Sequence, residues 1–529
     1  MSRDQLAAKI EYAIPESSGE TLIAPPPERA ADLLAASRSA AWGDASVLGV
    51  PLAEFRRQVR VRALGLAAAY TGEGGGAVDA PAPGQPLIVM GHQPVFVHPG
   101  VWVKYFLLTR LCAEHGAAGL HLIVDTDAPG PVTAPLPVLR DQLARVSETL
   151  IDLPQDVPLE AAAPPSPEAW AAFIAQVQAD ISTLPLPALT ERVRAFAGGE
   201  GAARRAAPTL GEFLARLRRS YEARAGAPGY LELPVSRLAD TPEFRAFALH
   251  LMRAPDELLS IYNAGLDAYR RAHRLRSAAN PFPDLTQGCG RLETPFWIVR
   301  GGRRSALFAA RDGARLVLFA ENEPVTAVPA GPAGVEALAA SGVALRPKAM
   351  TLTLFARLCL GDLFVHGVSG GRYDRLTDAI AAQVFGCRPP AYMVATATLH
   401  LPLLGEAQAS GERHALERRL MGLRHNPDRF LSAPSGDQRR LVDEKWALIR
   451  AVETMRPGPD RRAATRRIRE VNEHLTASLA PEIARLEGQL AVLRDQAHLE
   501  DVVRYRGYPF FLFDPAEVAA LVGAFPHPA

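Results

Sequence analysis

The chain has 529 residues, more than one ordinary hydrophobic core organises, so we expect two or three domains. Its formal net charge is +1, which gives no electrostatic argument for nucleic acid or an anionic membrane as a partner. Four scattered cysteines without a CxxC pair argue against a disulfide framework or a thiolate zinc site and are typical of a cytoplasmic protein. The sequence shows no secretory signal and no apolar run of the roughly 20 residues that span a bilayer.

The first elements in chain order predict a βαβ unit. The apolar run LIVM is a strand, VWVKYFLLTRLCAEHG is a helix that ends near Gly116, and GLHLIVDTD is a second strand that ends at 125–127. A strand, a helix and a strand within roughly 40 residues have the size of a βαβ unit. Ligands bind beyond the carboxyl ends of parallel strands. The loop GHQPVFVHPG, 91–100, and the turn at 125–127 are therefore expected at one ligand-binding edge.

The middle of the chain predicts helices and then strands. Residues 167–275 have mainly helical character, and Asp240 or Thr241 can cap one of these helices. A β-hairpin is predicted around Gly301–Gly302. The segment that begins at LRP, 345–347, predicts a buried helix, a buried strand, a glycine-rich turn and another helix. That turn is a second place where a loop follows the end of a strand.

Heptad spacing near the end of the chain predicts a helical arm. Apolar residues at alternating spacings of three and four fit one pattern: Leu441, Leu448, Val452, Met455, Ile483, Leu486, Leu490 and Leu493. The helix breaker RPGPD lies between the two groups, so we predict an antiparallel coiled-coil arm. The aromatic tail that follows is expected to return to the main body.

The loop after the first strand contains Gly91, His92, Gln93 and His98. A loop that precedes a helix offers backbone N–H groups and the positive end of the helix dipole, which suits an anionic ligand. The two histidines can bind phosphate, carry protons or ligate a metal. The short H-x-G-H order of adenylyl-transferring enzymes is absent. The alternative is that the histidines only satisfy the turn.

Two carboxylates, Asp125 and Asp127, follow the second strand. They can bind a metal, an amine or a sugar hydroxyl, or one can act as a base. The alternative is an Asx-turn or a helix N-cap. Together with the two histidines they would suit a divalent metal in ligand type. The spacing matches no specific metal motif, so we predict no metal site.

Further polar and glycine residues in the later loops are candidates for substrate binding. Glycine lets the backbone approach a ligand closely, although a lone G-x-x-G-G is a weak motif. The alternatives are a surface salt bridge for the arginine, and edge or cap positions for residues beside the hairpin. These candidates are Asn280, Glu293, Arg346, His366, Gly370, Gly371, Tyr373 and Asp374.

From about residue 86 to 525 the chain resembles the bacillithiol biosynthesis cysteine-adding enzyme family, BshC. That family has G-Q-Q-x-G-x-x-x-G-P after its first strand, E-D-H-D after the second, and a later L-R-P followed by a glycine-rich turn. The corresponding segments here are GHQPVFVHPG, VDTD and LRPKAMTLTLFARLCLGDLFVHGVSGG. Gly91 and Gln93 match the first motif, Asp125 and Asp127 the second, and Arg346 the third.

The chain also departs from the family pattern. His92 replaces a glutamine of the first motif, His98 replaces a small residue, and Thr126 replaces the histidine of the second motif. Val394 stands where the family has an arginine, and Tyr373 with Asp374 stands near the position of the family's acidic residue. These departures indicate a divergent member with histidines at its polar site.

The resemblance implies an α/β fold with a Rossmann-like core, inserted helical or connecting segments and a C-terminal antiparallel coiled-coil arm. The predicted segments are the first part of the core at 1–160, a mainly helical connecting region at 161–280, the second part of the core at 281–404, the arm at 405–500 and a returning tail at 501–529. The resemblance also implies that the arm forms a homodimer contact.

In function, the resemblance implies a ligase or transferase that joins an amine-bearing and a carboxyl-bearing, amino-acid-like substrate, such as cysteine addition to a glycosylated acid. A nucleotide, ATP or ADP, is the candidate cofactor. His92, His98, Asp125 and Asp127 are the predicted catalytic residues. Two alternatives stay open: a nucleotidyltransferase that uses the His92/His98 loop, and a non-catalytic small-molecule-binding or scaffold homologue. The predicted partners are small-molecule substrates and a second copy of the chain.

Overall fold

The computed structural model describes residues 12–74, 78–82, 84–277, 282–403, 410–431, 434–455 and 458–523. The chain divides into two compact units. The larger unit consists of Met1–Asp141, Arg145–Leu401 and Arg506–Ala529, and the smaller of Gln142–Ala144 and Pro402–Tyr505. Within the described ranges, no helix combines the length and the apolarity needed to cross a bilayer.

The strands of the described residues are numbered in chain order, β1 to β16. They are Thr21–Ala24, Ser46–Val47, Val50–Pro51, Leu87–His92, Ala118–Ile123, Val132–Leu139, Leu143–Ile151, Leu231–Pro234, Gln287–Gly288, Arg291–Arg300, Arg303–Asp312, Arg315–Ala320, Glu323–Pro329, Ala344–Pro347, Leu363–His366 and Tyr392–Ala397.

The α-helices of the described residues are numbered α1 to α18 in the same way. They are Ala30–Arg38, Leu52–Gly72, Pro99–His115, Pro167–Ile181, Pro187–Ala197, Glu200–Ala206, Leu210–Glu222, Val235–Ala239, Pro242–Met252, Pro255–His273, Gly334–Ala340, Ala349–Phe355, Val368–Val384, Ser410–His425, Gly436–Thr454, Pro459–Ala477, Ala480–Val503 and Pro515–Ala520.

A six-stranded sheet with the order β1-β16-β15-β4-β5-β8 lies at the centre of the larger unit. Five of its strands are parallel, and β1 pairs antiparallel with β16 at one edge. In chain order the parallel strands are β4, β5, β8, β15 and β16. The chain therefore adds strands on one side of β4 and then begins again on its other side with β15. In such sheets ligands bind where the strand order reverses, beyond the carboxyl ends.

Both faces of this sheet are buried, which explains the continuous apolar character of β4 and β5. Val89 and Leu122 point to one face and belong to the main hydrophobic cluster together with Phe55 of α2. His121 is on the opposite face, where its ring contacts Tyr105 of α3 in an edge-to-face arrangement. The larger unit therefore has a mixed α/β fold in which other elements cover both faces of a parallel sheet.

The predicted first unit, strand β4, helix α3 and strand β5, is confirmed. Helix α3 begins at Pro99, two residues before the predicted start, and His98 is its N-cap. The helix ends at Gly116, whose φ of 58° lies in the left-handed region that favours glycine after a helix. A glycine at this position stops the helix and directs the chain into β5.

A second, antiparallel sheet has the order β13-β12-β11-β10-β14, and β9 also pairs with β10. The predicted hairpin joins β10 to β11 through Gly301 and Gly302, with φ of 55° and 76°. A two-residue turn with positive φ at both positions matches the twist of the strands and requires residues such as glycine.

The region predicted to be mainly helical contains helices α4 to α10. Thr241 caps α9, because its side-chain oxygen accepts from the Phe244 N–H at 3.2 Å. Strand β8 also lies in this region and forms an edge of the parallel sheet. The sequence did not predict this four-residue strand.

The predicted glycine-rich turn after β15 is wrong in its extent. Helix α13 begins at Val368, so Gly370, Gly371, Tyr373 and Asp374 are helical. A Cβ at Gly371 would collide with the Val394 side chain of β16. Glycine at this position therefore allows the helix to approach the sheet.

The smaller unit contains helices α14 to α17. Helix α15 packs against α16, and α14 packs against α17. Three apolar side chains of this unit are almost fully buried. Leu486 of α17 is 1% exposed, and Val471 and Leu475 of α16 are 1% and 0% exposed. Leu441, Leu448, Val452, Met455 and Ile483 are half-buried, and the side chains of Leu490 and Leu493 lie outside the described residues. The dimer contact stays a prediction.

Candidate functional site

A cavity of about 690 Å³ lies at the carboxyl ends of β4, β15 and β5 in the larger unit. This volume is sufficient for a small-molecule ligand. Nine of the residues predicted from the sequence line it: Gly91, His92, Gln93, His98, Asp127, His366, Gly370, Tyr373 and Asp374. The cavity also lies at the point where the strand order reverses.

His92 and His98 are neutral at pH 7. Burial, followed by the charge of Lys104, holds the pKa of His92 well below its usual range. Burial lowers the pKa of His98 to about 4. Nδ1 of His92 lies 3.0 Å from the carbonyl oxygen of Gln93, which fixes the proton on that nitrogen. The two histidines of the loop therefore offer neutral hydrogen-bonding groups, and no positive charge, to a ligand such as phosphate.

His98 has a structural role at the start of α3. Its Nδ1 accepts from the Gly100 N–H at 3.1 Å, and its carbonyl oxygen accepts from the Val101 N–H at 2.9 Å. The first amides of α3 were predicted to bind a ligand, but they are already engaged within the chain. The neutral tautomer that accepts at Nδ1 has its proton on Nε2.

The positive charge of the cavity comes from Lys104 on α3. This side chain is 1% exposed, and burial lowers its pKa to about 8. Its ammonium has no hydrogen-bond or ion-pair partner among the described residues, although it lines the cavity. A buried charge without a partner is costly unless a ligand neutralises it. Lys104 therefore makes this part of the cavity suited to an anionic group.

The start of α13 adds uncapped amides to the same cavity. Its N-cap is Gly367, which has no capping side chain, and Val368, Ser369 and Gly370 line the cavity. The first amides of a helix have no partner within the helix, and the helix dipole is positive at this end. A 17-residue helix and a buried lysine thus present positive charge to one space.

His366 belongs to a buried chain of polar groups. Its Nε2–H donates to Asp374 Oδ2 at 2.7 Å, and the same oxygen accepts from Arg357 Nη1 at 2.8 Å. Burial alone would raise the pKa of Asp374, but Arg357 and His366 lower it to about 2. Burial lowers the pKa of His366, which is only partly offset by Asp374. His366 and Asp374 therefore form a hydrogen-bonded pair of a neutral imidazole and a carboxylate.

Asp127 is held by basic and amide groups. Its Oδ1 accepts from Arg304 Nη1 at 2.8 Å, and its Oδ2 accepts from Gln93 Nε2. The Arg304 guanidinium also lies 4.6 Å from the ring centroid of Trp297, a further cavity residue. These contacts fix the position of the carboxylate, which is 30% exposed and can accept another hydrogen bond.

Arg506 closes another part of the cavity. Its Nη2 donates to Thr396 Oγ1 at 3.0 Å and to the Ala397 carbonyl at 2.7 Å. A Cβ at Gly100 would lie 2.6 Å from that carbonyl and would also collide with Arg506. Glycine at the second position of α3 therefore makes room for a second cation beside the cavity.

Four predicted residues do not line the cavity. Asp125 is buried and accepts from the Ser236 N–H at 3.0 Å, and burial with the charge of Glu160 raises its pKa to about 7. Arg346 forms a buried ion pair with Glu160 at 2.8 Å. The other two are Glu293, which pairs with Lys348, and Gly371, which packs on β16.

Asn280 lies outside the described residues. In place of the four residues above, the structure adds Lys104, Arg304, Arg506 and Thr396 to the cavity. One signal for Lys104 was available, since it is the only charged residue in the apolar stretch VWVKYFLL. No comparable signal exists for Arg506, which follows the cavity loop by about 400 residues of chain.

Comparison with known protein families and with curated proteins gave no match. The described residues contain no group of three or more His, Cys, Asp or Glu side chains arranged to hold a metal ion. The cavity can bind an anionic group beside Lys104 and move a proton at a neutral histidine.

Proposed function

We propose that the protein is an enzyme that binds an anionic small molecule at Lys104 and joins its carboxyl group to an amine. The observation that carries this proposal is the buried ammonium of Lys104, without a partner in the described part of the chain and beside the uncapped start of α13. A phosphate or a carboxylate neutralises the ammonium and accepts from helix amides.

The balance of charges around the cavity supports an anionic substrate. Lys104, Arg304 and Arg506 line it, together with the carboxylates Asp127 and Asp374. Asp127 is already paired with Arg304, and Asp374 with Arg357. The two remaining cations, Lys104 and Arg506, favour a ligand with more than one negative charge.

An amine-bearing second substrate has a partner in Asp127, whose carboxylate is partly exposed to the cavity. Formation of a C–N bond from a free carboxylate requires activation. The carboxylate attacks the γ-phosphate of a nucleoside triphosphate, the bond to the bridging oxygen breaks, and an acyl phosphate forms as the nucleoside diphosphate leaves. The amine then attacks the acyl carbon and phosphate leaves. The ligase assignment includes ATP as the co-substrate for this reason.

The resemblance to the BshC family gives the proposal its most specific form. In that form the protein is a divergent, Rossmann-like member that adds cysteine to a glycosylated acid, and helices α14 to α17 form a coiled-coil arm for dimer contact. The strand order β16-β15-β4-β5-β8 supports the Rossmann-like description. Packing of α15 against α16 supports the description of an arm.

A nucleotidyltransferase that uses the His92/His98 loop receives less support, because His98 caps α3 and both histidines are neutral. A scaffold protein would be supported by side chains that fill the edge of the sheet. The cavity of about 690 Å³ supports an enzyme instead.

Metabolite profiling of a deletion strain tests the proposal. The strain is complemented with wild-type protein, Lys104→Met or Lys104→Arg. We expect an anionic metabolite to accumulate in the deletion strain and to disappear with the wild type and, in part, with Lys104→Arg, but not with Lys104→Met. Equal complementation by Lys104→Met would reject the proposal. A product without cysteine would reject only the cysteine-adding form.

A further inference from the structure

His366 differs from the other histidines of the cavity in its partner. His92 is held by a backbone carbonyl and His98 accepts from a backbone amide. His366 donates to a carboxylate, Asp374, whose side chain is fully buried. A carboxylate at one nitrogen orients the imidazole and stabilises the imidazolium that forms when the other nitrogen takes a proton.

The second nitrogen of His366 is available. Since Nε2 carries the proton that Asp374 accepts, the lone pair is on Nδ1. Nδ1 has no hydrogen-bond partner in the described ranges of the chain, and a Cβ at Gly370 would lie 2.6 Å from it. Glycine at position 370 keeps this space open, and both residues line the cavity.

The carboxylate of Asp374 is held in place by the buried guanidinium of Arg357. Arg357 is 2% exposed and pairs with Asp374 at 2.8 Å and with Asp378 at 2.7 Å. Its Nε donates to the Pro390 carbonyl at 2.9 Å. Asp374 therefore cannot rotate away from His366 without leaving a buried guanidinium partly unpaired. The charge of Lys104 faces the same histidine and opposes its protonation in the free protein.

We propose that His366 is the general base of this site, with Asp374 and Arg357 as positioning residues. The amine of the second substrate attacks the acyl carbon, and a C–N bond forms. The proton of the attacking nitrogen passes to Nδ1 of His366, and the bond from the acyl carbon to the phosphate oxygen breaks. The imidazolium, held by Asp374, later releases its proton to water. This inference rests on the proposed function for the identity of the proton donor.

Chemical rescue tests the inference. Purified full-length protein is incubated with ATP and an extract of the deletion strain, and conversion of the accumulated metabolite is measured with and without imidazole. We expect His366→Ala to lower the rate about 100-fold and imidazole to restore part of it, in proportion to its neutral fraction. Gly370→Ala should lower the rate as well, because its Cβ occupies the space beside Nδ1. A His366→Ala protein that keeps its rate, or loses it without rescue, would overturn the inference.

A substrate-independent measurement separates this inference from the proposed function. Diethyl pyrocarbonate reacts with neutral histidines that have a free lone pair, and peptide mapping locates the adducts. We expect modification of His366 and none of His121, whose nitrogens both contact hydrogen-bonding partners, Glu232 and Tyr105. If the wild type converts no metabolite but His366 reacts, the proposed function is rejected, and the assignment of His366 as the base of the site is still supported. If His366 is as unreactive as His121, the inference fails, whether or not a variant folds.

Discussion

Val365 of β15 is the parallel partner of Met90 of β4. This register places the next residues, His366 and Gly91, at the same level of the sheet edge. The pairing of β15 with β4 therefore brings His366 next to the loop that begins at residue 91. The cavity lies at the carboxyl ends of these two strands, where the strand order reverses.

Replacing Lys104 is expected to separate stability from ligand binding. Lys104→Met removes a buried charge that has no partner in the described residues, so we expect the unfolding free energy without ligand to rise by roughly 1–4 kcal/mol. Binding of malate or inorganic phosphate, measured by calorimetry, should weaken at least tenfold. Lys104→Arg should retain most of the binding. A destabilised Lys104→Met protein would show that the ammonium has a stabilising partner.

Lys348→Met is the matched control for this comparison. Lys348 is also largely buried but pairs with Glu293, which would lose its cationic partner. We expect this variant to be destabilised by about 1–3 kcal/mol and to keep its anion affinity. If the two lysine variants shift stability in the same direction, the distinction between a paired and an unpaired lysine is wrong.

Anion binding should depend on pH through Lys104. Burial lowers the pKa of this lysine to about 8, so the free protein loses the ammonium as the pH rises above that value. The affinity for malate should be constant between pH 6 and 7.5 and then fall by up to tenfold per pH unit above about 8. Lys104→Met should show no such decrease. A decrease that begins near pH 6 would instead indicate a protonated histidine.

Gly100→Ala is expected to damage the site. The new Cβ would lie 2.8 Å from His98 Cε1 and 2.6 Å from the Ala397 carbonyl oxygen, and it would collide with Arg506. We expect a loss of about 1–3 kcal/mol in unfolding free energy and weaker anion binding. Gly65→Ala in α2 is the control, because its Cβ would meet no atom within 4 Å. Helix propensity predicts a gain of about 0.5–1 kcal/mol there. Equal effects would contradict the packing argument.

Asp374→Asn should alter the acid dependence of stability. Its folded-state pKa of about 2 lies below the ordinary value of 3.8, so its stabilisation is complete above the unfolded pKa and is lost as the pH falls from about 4 to 2. Urea unfolding should show a deficit of about 2 kcal/mol at pH 7 that shrinks on acidification. Asp378→Asn is the control, because burial raises the pKa of Asp378. A deficit independent of pH would show that the carboxylate charge is not responsible.

The helical unit is expected to mediate self-association. Met421 and Trp446 of this unit are 63% and 38% exposed, so they present apolar area that a second copy of the chain can cover. Light scattering at micromolar concentration should give twice the chain mass of 56.8 kDa. Met421→Glu with Trp446→Glu should shift the protein towards the monomer. Val61→Glu, an exposed apolar position of the larger unit, should not. A monomeric wild type would reject the prediction.

The elements with a clear periodicity or a clear turn were predictable from the sequence. The LIVM strand, helix α3 and its end at Gly116 are confirmed, as is the hairpin at Gly301–Gly302. Strand β8 was missed because four residues, LELP, are too few to show a period. The same limit applies to β14, whose residues Ala344–Pro347 join the second sheet.

The site was predictable where residues follow a strand end and not where they depend on tertiary pairing. The loop at 91–98 and the segment at 366–374 both reach the cavity because β4 and β15 are neighbours. Arg346 was assigned to a ligand from its motif, yet Glu160 and Asp240 engage it, and no sequence pattern connects these three residues. The neutrality of the histidines depends on burial, which the loop sequence does not reveal.

Retention of a ligand by the full-length protein is the decisive measurement for the role of Lys104. Wild-type, Lys104→Met and Lys104→Arg proteins are incubated with an extract of the deletion strain, washed and examined by native mass spectrometry. We expect the wild type and Lys104→Arg to retain the same anionic small molecule and Lys104→Met to retain at least tenfold less. Equal retention of that molecule by Lys104→Met would contradict the claim that the buried ammonium of Lys104 binds the substrate.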